Sequence, residues 1–145
     1  MTGEKLLRKL SILCYVLGII GIIIGIIAMT TTLGDTLFEG YMENIDTQEL
    51  ENINPKTIAG ISFIISCMFT LLEGWLLGRA AKNGKKTIFL MVILILEIVS
   101  TVIEIIGAGF NSTINMDSLS NIIGLLINAF ILNQVIKVRR EALED

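Results

Sequence analysis

The stretch IIGIIIGII, residues 19–27, is apolar all round. A helix of a water-soluble bundle keeps a polar face for solvent. This stretch has none, so its natural surroundings are lipid. Followed outward, the run covers residues 10–30, and three more of similar length lie at 58–77, 87–108 and 119–138. A bilayer core about 30 Å thick requires roughly 20 apolar residues of helix. All four runs reach that length. A mean hydropathy of +0.77 and 53% hydrophobic residues exclude an ordinary soluble domain. The sequence predicts an all-α polytopic membrane protein. Its four spans form one up-down transmembrane bundle over residues 1–145, with an outer acidic loop at 31–57.

Lys5, Arg8 and Lys9 precede the first run, as in a signal peptide. The run is longer than the roughly 7–15 residues of a signal-peptide core, and Ala28-Met29-Thr30 offers no small-x-small cleavage site. It reads as a retained span. Cys14 and Cys67 lie on different spans without a Cys-x-x-Cys spacing, so neither a disulfide framework nor a thiol redox site is expected.

The basic residues set the orientation. Lys5, Arg8 and Lys9 precede span one. Arg79, Lys82, Lys85 and Lys86 surround the second connection, and Lys137, Arg139 and Arg140 end span four. An up-down topology places all three groups on one side, and basic residues near span ends favour the cytoplasm. Both termini are therefore expected to be cytoplasmic, in a multi-pass protein of the cell membrane. Lys56 alone falls on the other side, beside Asp35, Glu39, Glu43, Asp46, Glu49 and Glu51. That acidic loop reads first as a solvated segment, and second as a surface for a cation or basic partner. Asn54-Pro55 suits the start of span two, since proline at a first helical position gives up no needed donor.

Helices approach closely in lipid through small residues, because burying apolar surface there gains little. Span one carries Gly18, Gly21 and Gly25; span two carries Gly74 and Gly78; span four carries Gly124 between Ser120 and Asn128. These glycines are expected to pack helices within the bundle. The span-one set could alternatively form a homo-oligomer or partner contact.

Polar residues recur on single helical faces of the other spans. Span two has Ser62, Ser66, Thr70 and Glu73; span three has Glu97, Ser100, Thr101 and Glu104; span four has Asn121, Gly124 and Asn128. Such faces are expected to turn inward, since lipid offers no hydrogen-bond partner. At about 1.5 Å per residue, Glu97 lies roughly 16 Å from the boundary at Lys86, Glu73 roughly 9–13 Å from the edge at Arg79 or Lys82, and Asn128 roughly 13 Å from Lys137. Glu73, Glu97 and Asn128 thus occupy one slab near mid-bilayer, while Glu104 lies nearer the outer surface. Apart from Lys137 at the end of span four, no lysine, arginine or histidine lies inside a span to balance these carboxylates. Three states satisfy them: a protonated side chain bridging helices, a bound cation, or a basic residue of another membrane protein.

The absence of histidine and of paired cysteines gives metal hydrolysis and thiol chemistry no support, and no nucleophile–base pair can be assembled. No enzyme activity, metal, cofactor or nucleic-acid partner is expected. The leading expectation is an accessory, regulatory or immunity-type subunit that binds another membrane protein, or itself, in the lipid bilayer. The alternative is a small proton- or cation-coupled carrier, working as an oligomer through Glu73 and Glu97.

Overall fold

The computed structural model describes residues 2–39, 54–109 and 116–145. Most of the acidic loop, including Glu43, Asp46, Glu49 and Glu51, lies outside the described residues. The chain is all-helical among the described residues: α1 (Thr2–Thr30), α2 (Leu33–Leu37), α3 (Pro55–Lys82), α4 (Ile88–Gly109) and α5 (Met116–Glu144). Four of these, α1, α3, α4 and α5, are long and apolar enough to cross a membrane. They exceed the apolar runs at several ends. Helical hydrogen bonding continues into water, so α1 begins before Lys5 and α5 runs past Arg140.

Local chemistry sets the helix starts. Before α3, the Asn54 side-chain oxygen accepts the Lys56 backbone N–H at 3.1 Å, and Pro55 takes the first helical position. Between α3 and α4, Asn83 N–H closes α3 onto the Arg79 carbonyl at 2.9 Å. The Asn83 side chain then accepts Lys85 N–H at 3.1 Å. The Thr87 carbonyl accepts Met91 N–H at 2.9 Å and opens α4.

The chain divides into two compact units, residues 12–75 and residues 1–11 with 76–145. In the first unit α1 and α3 run antiparallel. A methyl group added at Gly18 would lie 2.6 Å from Leu71 Cδ2, and one at Gly25 would lie 2.9 Å from Ile64 Cγ1. Gly21 lies against Cys67 Sγ, and Gly60 against the Met29 side chain. Positions rising along α1 thus meet positions falling along α3. Cys14 and Cys67 are unbridged. Across from these contacts, Ile12, Val16, Ile19, Ile23 and Ile26 of α1 are exposed, as a lipid-facing surface requires.

The same unit holds a small cluster where α2 folds back. Ala28, Phe38 and Ala59 are buried, with Met29 and Phe63 packed against them. The Phe38 and Phe63 rings are tilted, 5.9 Å apart at their centroids. Lys56, the isolated cation of the acidic segment, donates to the Thr31 carbonyl and pairs with Asp35 at 3.2 Å. It therefore ties the end of α1 and the start of α3 to α2.

In the second unit the fully or nearly buried side chains gather at the basic end. Leu7, Leu76, Leu77, Ala80, Leu90, Leu94, Val135 and Val138 form this apolar interior. Gly78 faces Ser11 Oγ, and Gly84 faces Ala142 Cβ and the Val138 carbonyl, so a side chain at either would collide.

Candidate functional site

A polar contact between two long helices lies in the second unit. Asn128 of α5 donates from Nδ2 to Glu97 Oε2 of α4 at 3.2 Å, and both side chains are partly buried. One turn along α4, Thr101 Oγ1 donates to the Glu97 backbone carbonyl at 2.9 Å. Serine and threonine hydroxyls readily make this bond to the carbonyl four residues back, which lets them sit in lipid without another partner. Glu97 and Asn128 thus link the facing helices.

A second polar knot closes the basic end of the same pair. Arg139 Nη1 donates to the Lys85 carbonyl at 3.0 Å and to Thr87 Oγ1 at 3.2 Å. Thr87 Oγ1, fully buried, donates in turn to the Gly84 carbonyl at 3.1 Å. Arg139, read in the sequence as an orienting charge, therefore also has a structural contact. It fixes the end of α5 onto the α3–α4 turn through one guanidinium nitrogen, Nη1, that donates to both acceptors.

These two contacts define an antiparallel register for α4 and α5. Thr87 stands opposite Arg139, and Glu97 opposite Asn128. Between them the register sets Leu90 opposite Val135 and Leu94 opposite Ile131, four buried residues. Beyond Glu97 it sets Thr101 opposite Gly124 and Glu104 opposite Asn121. There the contact between α4 and α5 themselves opens. A methyl group added at Gly124 or Gly107 meets no atom within 4 Å, and Ser100 and Glu104 are exposed. Gly124 therefore makes no close helix contact among the described residues, unlike Gly18, Gly21, Gly25 and Gly78.

Burial along the polar stripe of α3 is uneven. Ser66 is exposed and Thr70 partly buried; Ser66 Oγ donates to the Ser62 carbonyl at 3.1 Å and Thr70 Oγ1 to the Ser66 carbonyl at 3.2 Å. Hydroxyls bonded along their own helix have no need to face the interior. On the same helix Gly74 is buried and Glu73 partly buried, both in the first unit. Glu97 and Asn128 are brought together in the second.

Three contributors escaped the reading of the sequence. Gly60 and Gly84 stand alone, without the four-residue spacing that draws attention to a packing face. Arg139 was legible as an orienting charge, but its bond to Thr87 depends on a turn geometry that no spacing announces. Among the described residues, no group of three or more histidine, cysteine or acidic side chains is placed to hold a metal ion. No family model, curated protein or solved structure matches the chain.

Proposed function

We propose that the protein is a non-catalytic accessory subunit that binds another membrane protein within the bilayer, using the face formed by α4 and α5. The observation that carries this reading is the half-closed α4–α5 seam. Its basic end is packed and clasped by Arg139, while Glu97, Ser100, Thr101 and Glu104 follow one another towards the open end. Polar side chains in hydrocarbon are costly unless a protein partner or water meets them. A partner helix seated there would supply that contact. On the orientation set by the basic residues, the open half lies towards the outer leaflet, and both termini stay in the cytoplasm.

The test uses the full-length protein in its native membrane, with a photoreactive amino acid introduced at Ser100 and, separately, at Ile19 as a lipid-facing control. The expected result is a cross-link from position 100, but not from 19, to one membrane protein that co-purifies stoichiometrically in mild detergent. A clean homo-oligomer cross-linked only to itself would overturn the accessory reading. Transport of protons or cations by the purified protein alone in vesicles would replace it with the carrier reading.

A further inference from the structure

Three stretches of the second unit, residues 1–11, 76–86 and 137–145, carry ten of the eleven basic residues. The same stretches hold only four acidic ones, Glu4, Glu141, Glu144 and Asp145. Packing within this unit brings the three stretches together. A methyl group added at Gly3 would lie 2.9 Å from Val138 Cγ2, and one at Gly84 would lie 2.8 Å from the Val138 carbonyl. Arg139 then fixes the α3–α4 turn on α5, with one nitrogen donating to the Lys85 carbonyl at 3.0 Å and to Thr87 Oγ1 at 3.2 Å. The backbone of Lys85 and Lys86 therefore stands beside Arg139 and Arg140. The side chains of Lys85, Lys86 and Arg140 are exposed, and none of them forms an ion pair among the described residues. Cations gathered in this way repel one another unless an anion meets them.

We propose that the α3–α4 turn and the end of α5 bind the phosphate headgroup of an anionic phospholipid, with Lys85, Lys86 and Arg140 as its cations. This site goes beyond the accessory reading and does not depend on it. Depth selects a lipid over a soluble polyanion. The apolar run of α4 begins at Ile88 and Phe89, directly after the two lysines, and Ile136 lies one turn before Arg140 on α5. All three apolar side chains are exposed. A headgroup held by the cations thus has apolar surface beneath it for its acyl chains. Long basic side chains at span ends carry their charge into the headgroup layer, where anionic lipid attracts them.

The test compares phosphatidylglycerol with phosphatidylcholine of identical chains, each added to the full-length protein in mild detergent. Native mass spectrometry counts the retained lipid, and the midpoint of thermal unfolding is followed alongside. The wild type should retain phosphatidylglycerol preferentially and unfold at a higher temperature in its presence. At about fivefold per charge, Lys85→Gln/Lys86→Gln/Arg140→Gln should lower phosphatidylglycerol retention on the order of a hundredfold. Removing as many charges from α1, in Lys5→Gln/Arg8→Gln/Lys9→Gln, should lower it by less than about tenfold, since these residues lie outside the Arg139 clasp. Equal retention of the two lipids by the wild type would overturn the proposal. So would equal losses in the two triple variants, the result that diffuse charge attraction alone gives. Inorganic phosphate that raises the midpoint as much as phosphatidylglycerol, at matched ionic strength, would assign the site to a free anion and overturn it as well.

Discussion

Asn128 and Glu97 join α4 to α5 midway along both helices, through a 3.2 Å bond from the amide Nδ2 to the carboxyl Oε2. Either protonation state of the carboxyl can accept this bond, so the link survives whether or not Glu97 is charged. Its strength is open to a double-mutant cycle with Glu97→Leu, Asn128→Leu and the pair. We predict a coupling energy of about 0.5–1.5 kcal/mol, the range of interhelical hydrogen bonds in membranes. Denaturation in mixed detergent micelles measures it. Additive single effects would mean the two side chains act independently.

The glycines divide into filled and open positions, and their substitutions should divide likewise. A methyl group at Gly21 meets Cys67 Sγ, and one at Gly25 meets Ile64 and Phe63. Gly21→Leu and Gly25→Leu should each destabilise by about 1–3 kcal/mol, the usual cost of overpacking a close contact. Gly124→Ala meets nothing within 4 Å and should raise stability by up to about 1 kcal/mol through helix propensity alone. Thermal unfolding in detergent distinguishes these outcomes. Cys67→Ala should partly rescue Gly21→Ala, because it removes the sulfur that the added methyl group strikes.

The clasp at the basic end predicts a different pattern. Arg139 holds the Lys85 carbonyl and the buried Thr87 hydroxyl with one nitrogen. Arg139→Met should cost roughly 1.5–3 kcal/mol, as expected for hydrogen bonds made by a charged group. Arg139→Lys should restore only part of this, since the shorter ammonium must place its nitrogen where Nη1 reaches both acceptors. By contrast, Lys137→Met and Arg140→Met, whose side chains are exposed, should change stability by less than about 0.5 kcal/mol. Equal effects at all three positions would remove Arg139 from its structural role.

The spans were legible because lipid imposes a length and an all-round apolarity that few other constraints mimic. Residues 19–27 carried that signal by themselves. The glycine contacts of span one were half-legible: spacing identified Gly21 and Gly25 as a face, but only the fold shows that face meeting α3. Glu97 and Asn128 were each singled out, and their depths agreed to within a few ångströms on the helical rise. That one bonds the other needed the register of α4 against α5, which rests on the Asn83–Thr87 turn and the Arg139 clasp. Hydropathy is silent about both. The bond from Ser66 to the carbonyl four residues earlier is one that a reading of faces does not announce.

The orientation expected from charge has its own test. Ten of the eleven basic residues fall on one side of an up-down topology, with Lys56 the exception. A reporter fused after Asp145 should be active in the cytoplasm, and one inserted after Glu43 should be active outside. The opposite pattern would move the open half of the α4–α5 seam to the cytoplasmic leaflet. Moving three lysines into the acidic loop should scramble the wild-type result, as expected if the charge bias sets topology.

The last prediction separates a structural bridge from a working carboxylate. Glutamine at position 97 keeps the size of a neutral glutamic acid and can still accept from Asn128, but it cannot ionise. If Glu97 serves only to join α4 and α5, Glu97→Gln should match the wild type in stability and in cross-linking at position 100. If a partner's cation is required, stability should hold while the stoichiometric cross-link is lost. Glu97→Leu should lose both, because it leaves the Asn128 amide without its acceptor in a place where lipid supplies none. Glu73→Gln is the parallel test on α3, where the carboxylate is partly buried in the other compact unit. The accessory reading expects Glu73→Gln to spare the cross-link, whereas a proton- or cation-coupled carrier built on both glutamates expects either substitution to abolish transport. Unchanged cross-linking in the Glu73→Gln/Glu97→Gln protein would reduce the polar slab to a bridge between helices.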